Sequence, residues 1–283
     1  MKLITTKEEL DAVILSERSE REDPRHCERS EATPRLHSKT LALVPTMGAL
    51  HAGHLSLVDI AEQYADITIV SIFVNPLQFG PNEDFSKYPR TLENDIKLLA
   101  GKKVDYIFAP SVEELYSTEP KKITADIEIS SRLCGLARPG HFDGVCTVVN
   151  LFFELIKPDL AVFGEKDYQQ LMVIQEMVSR LKLPIKIIPA PIVREPDGLA
   201  MSSRNRYLSE SDRSLAANIY KELSWLKENF SDENLETTKD KLEKLGMQVE
   251  YLEEHWNRIF VAASLGTTRL IDNVVIEIGL LSS

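Results

Sequence analysis

No stretch of these 283 residues is long and apolar enough to span a bilayer, and the N-terminus lacks the apolar core of a signal peptide. Cysteine is scarce. Cys27, Cys134 and Cys146 are too few and too scattered for a disulfide framework, so a reducing cytoplasm is the expected home. Positive charge is short as well: 33 Lys and Arg face 44 Asp and Glu, a formal net charge of −11. That balance argues against a broad nucleic-acid surface, though not against a small anion held by a few local cations. What is present, 43% hydrophobic residues, is ordinary for a substantial core, and the length suits one large α/β domain or two unequal domains.

Thr6-Lys7-Glu8-Glu9 has the form of a capping box, and Leu10, Val13 and Ile14 continue it as a short amphipathic helix. From about Ser16 to Ser38 the chain turns charged and polar, with Pro24, Pro34 and a Glu-Arg-Ser-Glu that occurs at both 17–20 and 28–31. So little apolar surface does not offset ordering entropy, and residues 16–38 are expected as a polar insertion, a mobile loop or an exposed irregular helix. From Thr40 onward, strands at Leu41–Val44, Ile67–Val74, Val104–Ala109, Leu160–Phe163 and Ile185–Ile188 alternate with helices at Leu55–Ala61, Leu92–Leu99, Val145–Ile156 and Asp167–Leu181. This alternation predicts an α/β fold, a Rossmann-like doubly wound parallel sheet over residues 1–190, with ligands beyond the strands' carboxyl ends. Past a junction near Pro189–Pro191, a helix capped by Ser209 and a second around Leu235–Leu245 follow. With two short strands, Arg258–Ala262 and Asn273–Ile278, they predict a smaller C-terminal α+β domain over 191–283.

The polar motifs fall at strand ends. The first strand runs into Met47-Gly48-Ala49-Leu50-His51-Ala52-Gly53-His54 at a helix start. Backbone N–H groups and the positive end of the helix dipole favour a phosphate there. Gly48 and Gly53 allow close approach, and two histidines supply donors for charge on a pentavalent phosphorus. A surface cap or half of a metal site is the alternative, but zinc needs more ligands than lie nearby. Asn75 and Gln78 close the longest apolar strand with amides suited to a carboxylate or hydroxyl. Plain turn chemistry would also account for Asn75. Arg138–Gly144 reads as a glycine-punctuated loop headed by a cation. Gly164-Glu165-Lys166-Asp167 repeats the strand-to-helix geometry, with Lys166 suited to phosphate oxygens and Gln170 one helical turn on. Charges solvated at a helix start would look the same. Finally, Met201-Ser202-Ser203-Arg204, within the loop from Arg194 to Asn205, is able to wrap a triphosphate or to serve as an ordinary helix entry.

Taken in order, Thr-Met-Gly-x-Leu-His-x-Gly-His, Phe-Val-Asn-Pro-x-Gln-Phe, Phe-Gly-Glu-Lys-Asp-x-Gln-Gln and Met-Ser-Ser-Arg-Asn resemble the pantothenate synthetase (pantoate–β-alanine ligase) family of the nucleotidyltransferase superfamily. The resemblance runs from Thr40 to Tyr207 and resumes at Phe260–Asn273. It implies an ATP-dependent ligation: pantoate's carboxylate attacks the α-phosphate to give pantoyl adenylate and pyrophosphate, and the amine of β-alanine then releases AMP. It implies ATP contacts from Met47–His54, Gly164–Asp167, Val193 and Met201–Arg204, with His54, His51, Lys166 and Arg204 catalytic. The family treats the second histidine, here His54, as a proton donor; charge stabilisation is the larger expected role, because departing pyrophosphate needs little protonation. Gln78 would hold pantoate and β-alanine, with Gln170 and Asn75 also at the substrate. Mg²⁺ would bridge the triphosphate. A cytoplasmic homodimer with neither nucleic-acid nor membrane partners is implied, and the apolar strand run is compatible with such an interface.

Three features depart from the family pattern. The stretch 16–38 exceeds the expected link, the C-terminal domain is short between Tyr251 and Phe260, and Asn94 stands beside Asp95 where some relatives carry an acidic metal contact. No protein metal ligand is therefore expected. Two other classes share the histidine motif: an adenylyltransferase that releases no AMP, and a non-catalytic ATP-binding protein. The paired glutamines disfavour the first, and the full complement of polar side chains disfavours the second.

Overall fold

Six short apolar runs become one parallel sheet. A computed structural model of the chain describes residues 1–19, 39–81, 83 and 85–276. Its strands are β1 (Lys2–Ile4), β2 (Leu41–Thr46), β3 (Ile67–Ile72), β4 (Tyr106–Phe108), β5 (Leu160–Gly164) and β6 (Lys186–Ala190). They lie in the order β1-β4-β3-β2-β5-β6, every pair parallel. β1 was not expected, since three residues carry no periodic signal. Helices α1 (Lys7–Ser19), α2 (Ala52–Tyr64), α3 (Leu92–Leu99), α7 (His141–Ile156) and α8 (Tyr168–Arg180) cover the sheet, with one-turn helices α4 (Val112–Leu115), α5 (Ile127–Ser130) and α6 (Leu133–Ala137) between. Side-chain alternation feeds two cores. Leu41 and Leu43 pack with Phe108 and Phe152 on one face, while Ala42 and Val44 pack with Val58 and Val162 on the other. β3 lies between β2 and β4, so its apolar run offers no surface to a second copy.

The capping box forms as read: the Glu9 N–H donates to Thr6 Oγ1 at 3.2 Å, and Glu9 Oε2 accepts from the Thr6 N–H at 3.3 Å. α1 then continues to Ser19, so the first residues of the expected polar insertion are helical, and Glu17 accepts from the Tyr106 hydroxyl at 2.6 Å. The remainder, 20–38, lies outside the described residues.

The strand order reverses at β2, and there the sheet opens. Registered pairs between β2 and β5 are Ala42–Leu160 and Leu43–Ala161. β5 keeps its pairing with β6 through Gly164–Ala190, and β2 keeps its pairing with β3 through Thr46–Ile72. Pro45 sits where the ladder has ended: the Phe73 N–H donates to Thr46 O, so Thr46 faces β3 and Pro45 turns its missing donor toward the opening.

The C-terminal unit holds α9 (Glu210–Glu228), α10 (Asp232–Lys244) and an antiparallel sheet of β7 (Gln248–His255), β8 (Arg258–Leu265) and β9 (Thr268–Val275). Three longer strands replace the two short ones expected. β7 is polar, and a register shift between Val249 and Tyr251 breaks its alternation. The short stretch between Tyr251 and Phe260 is a tight hairpin through Trp256 and Asn257, at φ 54° and 56°.

α7 begins at His141, so much of the expected Arg138–Gly144 loop is the first turn of a helix introduced by Gly140 at φ 81°. Gly144 there faces the turn Pro76–Gln78, and an added Cβ would collide with the Leu77 carbonyl. Alanine normally improves a helix by up to about 1 kcal/mol. Here Gly144→Ala is expected to destabilise the fold by roughly 1–3 kcal/mol in urea titration, because backbone on both sides is fixed.

Candidate active site

Two strand ends face each other across the opening. From β2, Thr46 Oγ1 donates to Ser71 O at 2.8 Å and accepts from the Gly48 N–H at 3.2 Å. Gly48 and Ala49 follow at φ 80° and 52°, reversing the chain so that His51 becomes the N-cap of α2. His51 Nδ1 accepts from the Gly53 N–H at 3.2 Å, which leaves its Nε2–H as the outward donor. His54 lies against it, ring centroids 4.1 Å apart, and its buried Nδ1 has no partner among the described residues. Burial, reinforced by the positive charge of Lys166, pushes His51 down to about 4; burial, with His51 and Lys166 adding, pushes His54 down to about 3. Both rings are neutral at neutral pH.

From β5, Gly164 leads into a tight turn, Glu165–Asp167, that carries Lys166. The C-terminal unit grips this turn. Asn273 Nδ2 donates to the carbonyls of Glu165 and Lys166 at 2.9 and 3.1 Å, and Arg258, stacked 3.9 Å over Tyr168, donates to the Glu165 carboxylate at 2.9 Å. The loop after β6 is anchored likewise: Arg194 binds buried Asp272 through two hydrogen bonds of 2.6 and 3.0 Å. The Met201 N–H donates to Val193 O, so these two side chains stand together ahead of Ser202, whose Oγ caps the turn Ser203–Tyr207 that bears Arg204.

The amides form the third wall. Asn75 is 1% exposed, and its side chain is committed: Nδ2 donates to Gly144 O and Gln78 Oε1, and Oδ1 accepts from the Tyr116 hydroxyl at 2.7 Å. Gln78 Nε2 donates to Met47 Sδ at 3.0 Å, joining this wall to the histidine loop. Gln78 O is held by His141 Nδ1 at 2.8 Å, and Arg138 faces His141 Nε2 at 3.1 Å. Burial first, then Arg138, pushes His141 down to about 4. Of the neighbouring glutamines, Gln169 is spent on Cys134, Ile129 and Arg132, whereas Gln170 makes no hydrogen bond among the described residues and lines the cavity.

A cavity of about 220 Å³ unites Met47, His51, Gly53, His54, Asn75, Gln78, Gly164, Lys166, Asp167, Gln170, Val193 and Met201 through Arg204. A second chamber of about 410 Å³ shares Lys166, Asp167, Gln170, Ser202 and Arg204, and continues to Arg138 and His141. Five expected ATP contacts are not in the cavity wall. The left-handed turn sends Ala49 and Leu50 back into the core, Gly48 faces the far side of the loop, Ala52 points to solvent, and Glu165 pairs with Arg258. The sequence reading missed the layer behind the wall: His141, Arg258 and Asn273. His141 had left a trace as a member of the Arg138–Gly144 stretch and Asn273 as the last residue of the Phe260–Asn273 resemblance, whereas Arg258 was marked only as the start of a strand.

Among the described residues no cluster of three or more His, Cys, Asp or Glu is placed to hold a metal ion, and no helix is long and apolar enough to cross a membrane. A doubly wound sheet whose switch point carries two neutral histidines opposite a lysine defines an α/β enzyme acting on a nucleotide. The pantoate–β-alanine ligase family model matches residues 20–275, and the chain belongs to that family. Pantothenate synthetase of Psychrobacter arcticus is 46% identical over 273 residues, covering 88% of this chain and 95% of the relative. The Caldicellulosiruptor bescii enzyme of that name is 47% identical, with 84% and 92% covered. Among solved structures, pantothenate synthetase from Thermus thermophilus superposes with TM-score 0.84 at 38% identity, covering 97% of this chain and 99% of its own. Pantoate–β-alanine ligase from Francisella tularensis, complexed with β,γ-ATP and β-alanine, gives 0.83 at 37%, covering 97% of each chain.

His51, His54 and His141 stay neutral when folded, while the unfolded chain protonates them near 6.5. Their folded pKa values are depressed, so the stability they allow is intact above about 6.5 and is lost as pH falls toward 4. In denaturation series at pH 7.5 and 5, roughly, the stability advantage of the native protein over His141→Asn is expected to shrink as pH drops.

Proposed function

We propose that the cavity between β2 and β5 carries out the family's ATP-dependent condensation of pantoate with β-alanine in two steps, through an enzyme-held pantoyl adenylate. One observation supports this above the others. Gln78 and Gln170 share one cavity with apolar Phe73, Val148, Val149 and Phe152 and with the histidine pair. A short hydroxy acid with a dimethyl carbon asks for that combination of polar and hydrocarbon lining.

In the first step the pantoate carboxylate attacks the α-phosphorus of ATP and pyrophosphate leaves. His51 and His54 donate N–H hydrogen bonds to phosphate oxygens from neutral rings, which favours charge stabilisation over proton donation. Lys166, Ser202, Ser203 and Arg204 take the charge of the departing pyrophosphate. Val193 and Met201 line the nucleoside end, and backbone at Gly164 and the turn after it contacts ATP without the Glu165 carboxylate. Half-exposed Asp167 and the hydroxyls of Ser202 and Ser203 would face a Mg²⁺ ion arriving with the triphosphate, which would supply further charge neutralisation. In the second step the β-alanine amine, beside Gln78, attacks the acyl carbon and AMP leaves, giving pantothenate. Asn75 acts as the brace of Gln78. The C-terminal unit, 191–283, serves as the lid over the first domain, 1–190, and the functional form is a cytoplasmic homodimer.

The test is release of AMP and pyrophosphate from purified protein given ATP and Mg²⁺, with pantoate and β-alanine added singly and together. Sustained AMP release requiring both, with pantothenate formed, is expected; an absence of turnover in the complete mixture overturns the reading. His54→Ala is expected to slow adenylate formation by about 100-fold or more while leaving the melting temperature near normal. Gln78→Ala is expected to raise the pantoate KM by about tenfold, the worth of one hydrogen bond, as read from initial rates.

A further inference from the structure

Asp95, on α3, is 0% exposed and lies behind the histidine loop. A carboxylate buried so completely must be well hydrogen-bonded to be tolerated. Its oxygens are divided between consecutive amides: Oδ2 accepts from the Ala49 N–H at 2.9 Å and Oδ1 from the Leu50 N–H at 2.8 Å, with Thr91 Oγ1 at 3.2 and 3.3 Å. These amides belong to the left-handed turn at Gly48 and Ala49. Successive N–H groups in such a turn point to one side and form a nest for an anion. Here the anion is the protein's own. The fit is close, since a Cβ on Gly48 would stand 3.0 Å from Oδ2.

The other side of the loop explains why the turn needs holding. A cavity of about 270 Å³ behind it is lined by Asp95, Gly48, Met47 and Ile72, with Arg90 also in its wall. Asp95 does not line the nucleotide cavity. The loop that delivers both imidazoles thus stands between two hollows, and the carboxylate ties it to α3.

We propose that Asp95 is a positioning residue for adenylate formation: it fixes the Gly48–Leu50 turn and so sets where His51 and His54 meet the phosphate. It acts through the backbone and touches neither substrate nor metal. This inference rests on the ligase reading for its kinetic consequence, not for its structural one.

The decisive variant is Asp95→Asn, which leaves one oxygen and sets an NH₂ against an N–H. Pyrophosphate release by folded enzyme is expected to lose about 10- to 100-fold in kcat, with the pantoate KM within about twofold, because Gln78 keeps its hydrogen bond from Asn75 and Gln170 stands on α8. Raised Mg²⁺ should not restore the rate. In long-range ¹H–¹⁵N spectra of the free protein, the His51 and His54 rings, held down at about 4 and about 3, should shift and titrate closer to 6.5. Should Asp95→Asn not fold, Asp95→Glu decides alone: it keeps the charge but pushes the turn outward, and the same kcat loss and ring shifts are expected. Unmoved histidine signals with kcat preserved overturn the proposal, as does rescue by Mg²⁺. If the native protein shows no ligase turnover but the ring signals still move, the ligase reading fails and the positioning role stands.

Discussion

Everything in the site depends on two parallel strands ceasing to pair. β2 and β5 share register only at Ala42–Leu160 and Leu43–Ala161. Had the ladder continued to Thr46 and Gly164, no space would remain for a ligand between their carboxyl ends. The separation leaves backbone groups of β2 without sheet partners, and the sequence answers with Pro45, which has no N–H to lose. Beyond it, each strand turns into a helix start aimed at the gap.

The two walls are then stabilised from outside. The β2 wall is held within its own domain, by Thr46 on β3 and by the carboxylate beneath the turn. The β5 wall is held by the C-terminal unit, through Arg258 and Asn273. Lys166 therefore takes its place from residues about a hundred positions away in the chain. The same β9 residues that finish the small sheet, Asp272 and Asn273, also fasten the Arg194 loop and the Lys166 turn. The C-terminal unit thus helps to shape the site.

The sheet and the motif positions were legible because short-range signals agree with the global fold: continuous apolar runs for buried strands, glycine and polar residues at their ends. β7 was hidden by its polarity and bulge, and β1 by its length. Within the site, the sequence marked which segments gather but not which side chains face in. Gln169 and Gln170 are chemically identical, and only tertiary packing assigns one to the backbone of α5, α6 and the turn between them and the other to the cavity. Ala49 and Leu50 lie inside the strongest motif, yet point to the core, because a turn with positive φ reverses side-chain direction in a way that residue spacing does not encode. The partnership of Arg258 with Glu165 left no signal, since an ion pair between segments 93 positions apart has no local pattern.

At the opposite end of the sheet, α1 leaves and β2 begins at one corner. Lys39 bridges to Glu17 at 3.1 Å, and the Thr40 N–H donates to Asp66 at 2.7 Å. These contacts lie at the amino ends of the strands, away from the cavity between the carboxyl ends of β2 and β5. Since joining two fixed points by a longer chain costs only slowly more, this corner is where an engineer would graft a foreign segment at the least cost to the fold.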